Sequence, residues 1–235
     1  MAMNIHRSLE RGVSEHGWLH SRFSFSFADY QNPERMGFGA LRVLNDDIID
    51  PGYGFDTHPH SNYEIVTIVL EGSVEHGDSM GNTGIIHAGE LQRISAGSGI
   101  LHSEKNPSKK EKTALLQIWI KPKELNIEPS YEQKKFSAAQ MKNKLVEVVS
   151  GTKRKGAIYI HQDARFLLGA LDKKKSAPIT ISKSHGLFVF VIEGSVRIGD
   201  ASLDKRDCAE ITGEEKITIA ANEKSKVLAI EVPMR

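Results

Sequence analysis

Val69-Leu70-Glu71-Gly72-Ser73-Val74 returns 122 positions later as Val191-Ile192-Glu193-Gly194-Ser195-Val196. An apolar run, a glycine and a renewed β-forming run make a strand–turn–strand unit. The flanks repeat as well. Ala114-Leu115-Leu116-Gln117-Ile118-Trp119-Ile120 follows the first copy, and Val227-Leu228-Ala229-Ile230-Glu231-Val232 follows the second. Repetition at half the chain length means duplication, hence two similar β domains. The 235 residues allow for that, at about 115 per domain. Outward from the repeat, other runs share its character: Ile65 to Leu70, Ala157 to His161, Leu187 to Ile192 and Lys216 to Ala220. Each is short, rich in Val, Ile, Thr and aromatics, and bounded by Gly, Asp, Asn or Ser, which argues for an all-β sandwich or barrel. Helix is minor, with one short segment expected near Ser137. Lys121-Pro122-Lys123-Glu124 and Glu128-Pro129-Ser130 read as linker, so the expected domains are 1–125 and 126–235.

Composition excludes several classes. A net charge of +1 leaves no electrostatic footprint for nucleic acid, and the basic clusters at 109–112, 153–155 and 173–175 read as solvated loop tips. No apolar run approaches the ~20 residues that span a bilayer. The N-terminus lacks the apolar centre of a signal peptide, so a cytoplasmic location is expected. One cysteine, Cys208, rules out a disulfide framework within the chain and reads as a small buried apolar residue.

Ten histidines are the count that invites a closer look. Gly52-Tyr53-Gly54-Phe55-Asp56-Thr57-His58-Pro59-His60-Ser61-Asn62-Tyr63-Glu64 comes just before the first repeat strand. Residues two apart on a strand share a face, so His58 and His60 project together. Pro59 fixes its own φ and forces His58 to be extended. Downstream, Gly97-Ser98-Gly99-Ile100-Leu101-His102-Ser103-Glu104 places His102 and Glu104 two apart after a glycine-rich turn. Two such pairs on neighbouring strands can converge inside a small barrel. Three imidazoles and a carboxylate suit a first-row transition metal better than calcium or magnesium. His76, His87 and His161 read as structural or surface residues, Trp18 and Trp119 as core, and Phe38 and Phe55 as candidate linings of a pocket for a flat substrate.

The first stretch resembles cupin motif one, with Gly52, His58-Pro59-His60, Glu64 and Gly72. The second is similar to motif two, with Gly99, His102 and Asn106, where Gly97 replaces the usual proline. His-Pro-His, Asp78-Ser79-Met80-Gly81, Ser95 to Glu104 and the run Gly17 to Phe27 together resemble the pirin family, densely over residues 5 to about 136 and thinly beyond. The resemblance implies two cupin (jelly-roll, double-stranded β-helix) barrels. It implies one metal ion held by His58, His60, His102 and Glu104, with Glu64 beside them and a ligand only if Glu104 points away. Fe(II) is the implied metal, and manganese, nickel, cobalt, copper or zinc would also suit the donors. The implied reaction is that of a bacterial quercetin 2,3-dioxygenase, which opens a flavonol with O2 and releases carbon monoxide, with Glu104 as the catalytic proton acceptor. The alternative it carries is an iron-binding regulator acting through a protein partner. A monomer is expected, without nucleic-acid or membrane partners. The second half has only His185 before its repeat strand, so no metal site is expected there.

Overall fold

The computed structural model describes residues 2–234, which form almost wholly antiparallel strands. Each half supplies a seven-stranded and a four-stranded sheet. The large sheet of the first half runs, in spatial order, Ser130–Lys135, Glu90–Ser95, Glu64–Glu71, Thr113–Ile120, Leu41–Ile49, Leu19–Phe23 and Gly12–Glu15. Its small sheet runs Gly54–His60, Ile100–Lys105, Ser73–Asp78 and Thr83–His87. The second half repeats the plan around His185–Glu193, flanked by Cys208–Thr212 and Ser225–Pro233. Its small sheet runs Ser176–Thr180, Lys216–Ala221, Val196–Ile198 and Ala201–Leu203. The two-barrel architecture expected from the sequence is the observed one. The short helix Ala138–Met141 opens on Ser137, whose hydroxyl accepts the Gln140 N–H. No helix among the described residues is long and apolar enough to cross a membrane.

Two strands change sides. Ala2–His6 pairs with Cys208–Thr212 in the second half's sheet. Ser130–Lys135, beyond the linker, pairs with Glu90–Ser95 in the first half's sheet. The halves are therefore interlocked by backbone hydrogen bonds on both sides of Pro122–Pro129.

Strand parity decides what each sheet face meets. From Glu64–Glu71, Val66 and Ile68 enter a core shared by both halves, while Ile65 and Val69 face the interior of the first barrel. From His185–Glu193, Phe188, Phe190 and Ile192 join the shared core, while Leu187, Val189 and Val191 fill the second barrel. The two large sheets thus pack back to back, with Phe25, Leu44, Leu116, Phe166 and Phe188 among the buried side chains between them.

The repeated turn is the same to the level of single atoms. Gly72 and Gly194 have φ of 71° and 79°, a left-handed geometry that favours glycine. A Cβ at either would strike a backbone carbonyl, that of Lys112 at 2.9 Å and that of Lys224 at 2.3 Å. Beside each turn a hydroxyl donates to the next carbonyl: Thr113 Oγ1 to Ser73 at 2.8 Å, and Ser225 Oγ to Ser195 at 2.9 Å.

Candidate metal centre

The edge strand Gly54–His60 pairs with Ile100–Lys105 so that His58 lies opposite His102, and His60 opposite Ile100. Gly97, at φ 46°, lies against the Ile127 carbonyl, where a Cβ would sit 2.0 Å away. The linker segment packs on this turn and helps fix the start of the strand that carries His102. One donor nitrogen from each of His58, His60 and His102 lies within 4.8 Å of the others. The ring centroids are 4.4 to 4.9 Å apart.

The tautomers suit metal binding. His58 Nδ1 lies 2.7 Å from the Asp56 carbonyl, which only accepts, so Nδ1 carries the proton and Nε2 keeps its lone pair. His102 is 1% exposed, and neither ring nitrogen has a hydrogen-bond partner. A buried imidazole without partners costs free energy that an ion at this point would offset. The residues present therefore fit a transition metal.

Glu104 is buried on the same strand face as His102, but its carboxylate lies outside the three-histidine cluster. Oε1 accepts from Gln92 Nε2 and lies 3.1 Å from Thr67 Oγ1, whose one proton is shared with Gln117 Oε1 at 2.9 Å, and Oε2 accepts from Gln117 Nε2 at 2.7 Å. Tyr131, on the exchanged strand, donates to Gln92 Oε1 at 3.2 Å or shares its proton with Gln133. These partners escaped the sequence reading. Their signal was a lone polar residue at an inward position of an otherwise apolar strand: Thr67 between Val66 and Ile68, and Gln117 between Leu116 and Ile118.

The ladder registers show how the two barrels diverged. The positions equivalent to His58, His60, His102 and Glu104 are Ile179, Ile181, Ile217 and Ile219, and those equivalent to Thr67, Gln92 and Gln117 are Val189, Ala209 and Ala229. All seven are buried in one aliphatic cluster. The second barrel offers no donor atom where the first has its polar layer.

Glu64 needs correction. The resemblance implies a place for it beside the ligands, and its even spacing from His60 would keep it on their face of an unbroken strand. Instead it faces the junction between the halves, where Ser95 Oγ donates to it at 2.8 Å and His161 Nδ1 lies 3.3 Å away. Asn62, with φ 56°, interrupts the strand between the two positions, so alternation does not carry across. Phe38 also departs from expectation, packing on Phe188 in the shared core. Phe55 does sit beside His58, with Trp18 edge-on to it at 5.4 Å. Trp119, expected in the core, stands against the His60 ring at a centroid distance of 4.8 Å, backed by Phe27 and Tyr63. His76 is buried, stacked on Tyr131 at 4.5 Å, and held by Asp78 Oδ2 at 3.1 Å. Cys208 is fully buried in the shared core, and burial pushes its thiol up to about 12.

Burial, reinforced by the neighbouring imidazoles, lowers His60 to about 4 and His102 to about 3. Protons therefore compete for these two donors at lower pH than the ordinary imidazole value near ~6.5 suggests. Burial pushes Glu104 the other way, upward, and raises Asp47, deeper in the same barrel, to about 7. Asp47 is 4% exposed, and its Oδ1 has no hydrogen-bond partner. A carboxyl raised on folding stabilises the fold below its unfolded pKa, and loses that contribution as pH rises through its folded value. Asp47→Asn should therefore raise the melting temperature at pH 8 relative to wild type, with no gain at pH 4. Thermal melts at both pH values check this, and an equal shift at both would exclude the titration.

Among known proteins, the family model described as Pirin matches residues 5–120, and that of the quercetinase C-terminal cupin domain matches residues 147–232. A quercetin 2,3-dioxygenase of Escherichia coli K12 is 45% identical over 229 residues, covering 97% of this chain and 98% of the relative. A pirin-like protein of Caulobacter vibrioides is 39% identical over 221 residues, covering 94% and 95%. The crystal structure of a bacterial pirin from Escherichia coli in complex with nickel(II) superposes with a TM-score of 0.94 at 43% identity, covering 99% of both chains.

Proposed function

The chain belongs to the pirin family, and from that premise we propose that it is a metal-dependent quercetin 2,3-dioxygenase, opening a flavonol with O2. The observation that carries the reading is the convergence of three imidazoles in the first barrel, one of them buried with both nitrogens unpartnered. His58, His60 and His102 would hold one transition-metal ion as neutral donors, with Glu104 as the fourth ligand and iron the metal preferred from the family. The bound ion supplies Lewis-acid and one-electron chemistry toward a flavonol and dioxygen.

The remaining steps fall to the chain itself. Gln92 and Gln117 each donate a hydrogen bond to the Glu104 carboxylate, and the Thr67 hydroxyl, shared between Glu104 and Gln117, completes the set that holds it in one orientation. From there it can accept the proton of the flavonol 3-hydroxyl as general base. An open recess of about 530 Å³ adjoins His60, lined by Pro59, Ser61, Ser79, Gly99, Ile100 and Leu101, and offers a route for a planar substrate. Trp119 beside His60 and Phe55 beside His58 present aromatic faces that can orient it.

Elemental analysis of the purified protein, followed by oxygen uptake with quercetin, tests the reading. Metal with no turnover would replace it by the regulatory one, in which the centre acts through a protein partner. Glu104→Gln preserves shape and removes the charge. Oxygen uptake should fall by about 10²–10⁴ while a measurable share of metal is retained. Undiminished turnover in that variant would take Glu104 out of the proton transfer.

A further inference from the structure

The exchanged strand Ser130–Lys135 sets Tyr131 and Gln133 against the polar layer of the first barrel. Gln133 lies opposite Gln92 in the ladder, and Tyr131 opposite Ile94. Gln92 is fully buried. Its Nε2 donates to Glu104 Oε1 and to Thr67 Oγ1, the latter at 3.1 Å. Its Oε1 has one donor among the described residues, the Tyr131 O–H at 3.2 Å. Turned by half a revolution, the amide would set its carbonyl against the Glu104 carboxylate. Without the phenol, that carbonyl would be buried unpaired, which is costly.

The phenol is itself held. Its ring stacks on His76 at 4.5 Å with 15° between the planes, and Asp78 Oδ2 lies 3.1 Å from His76 Nε2. Its oxygen also lies 3.2 Å from Gln133 Oε1, whose Nε2 is committed to the Ile85 carbonyl and to Glu90 Oε2, each at 3.0 Å. Burial, reinforced by the carboxylates of Glu104, Asp78 and Glu90, pushes the phenol pKa up, so the group stays a donor.

The second barrel supplies an internal comparison. The ladder registers make Met3, Ile5 and Ile198 the equivalents of Tyr131, Gln133 and His76. All three belong to, or pack on, the aliphatic cluster that stands in place of the ligands. The polar set around Tyr131 therefore accompanies the ligands and is not required by the barrel.

We propose, resting on Glu104 as the fourth ligand, that Tyr131 is a positioning residue of the metal centre: its O–H fixes the Gln92 amide, and that amide fixes the Glu104 carboxylate. A strand from beyond the linker thereby tunes a centre whose ligands all lie in the first half.

The full chain, stripped of metal and titrated with nickel(II) alone, tests this. Tyr131→Phe keeps the ring and its stack on His76 and removes only the hydroxyl. Nickel affinity should fall about 10-fold, the lower end of the range for partners of ligands. Gln92→Leu should lose up to about 100-fold. Because Tyr131 acts through that amide, adding Tyr131→Phe to Gln92→Leu should cost nothing further, whereas general loosening of the strand would add its own loss. Should Gln92→Leu fail to fold, Glu104→Ala is the second background, and Tyr131→Phe should be equally silent there. In the loaded enzyme, Tyr131→Phe should lower kcat for quercetin at unchanged KM, since Tyr131 does not line the recess beside His60. Wild-type nickel affinity in Tyr131→Phe, an additive loss in the double variant, or a change confined to KM would overturn the proposal and leave the metal site standing. Failure of the unmutated chain to bind nickel would overturn both.

Discussion

Alanine at position 102 is expected to abolish tight metal binding while leaving the metal-free protein no less stable than wild type. The two effects have one cause. His102 is 1% exposed, burial and its imidazole neighbours hold it neutral with a pKa near 3, and no protein group bonds either nitrogen. Burying such a group unpaired costs ~1–3 kcal/mol, which His102→Ala relieves, and this relief opposes the cost of the small cavity it leaves. With metal present the balance reverses, because two imidazoles remain of the convergent three. Even partners of metal ligands cost 10–100-fold in affinity when removed, so loss of a ligand should cost more than ~100-fold. Melting curves with and without added metal, together with direct metal titration, give both numbers. Wild-type affinity in the variant would show that the ion binds elsewhere.

Phe188→Ala should be the most damaging single change outside the site. Phe188 is fully buried between the two large sheets, with Phe25 at 5.6 Å and Phe38 at 6.2 Å between ring centroids. Truncating a buried phenylalanine costs ~3–5 kcal/mol, a fall of roughly 6–20 °C for a chain of this size. The back-to-back packing also requires that both halves melt together. Calorimetry should show one transition in wild type and variant alike. Two resolved transitions would mean that the shared core does not couple the barrels.

How much of this was legible in the sequence follows from the range of each signal. The histidine pairs could be read because alternation along a strand is local and Pro59 stiffens one of them. The duplication could be read because the turn at Gly72 and Gly194 is a steric requirement met twice. Glu64 was misplaced because a left-handed residue, Asn62, resets alternation, and nothing in its identity announces that. Trp119 looked like core because its inward position is the one a core tryptophan would occupy. Only the polar layer around Glu104, formed by Thr67, Gln92 and Gln117, separates a functional interior from a packed one. The exchanged strands were illegible because Ala2–His6 and Cys208–Thr212 carry no mark of each other.

That exchange has a bearing on how the molecule is made. At ~5–20 residues per second, a ribosome completes Cys208–Thr212 some 10–40 s after Ala2–His6 has been synthesised. Ala2–His6 must therefore wait for its native partner while roughly two hundred further residues are made. Its sequence, Ala-Met-Asn-Ile-His, is short and only partly apolar, a composition that limits wayward edge pairing during the delay.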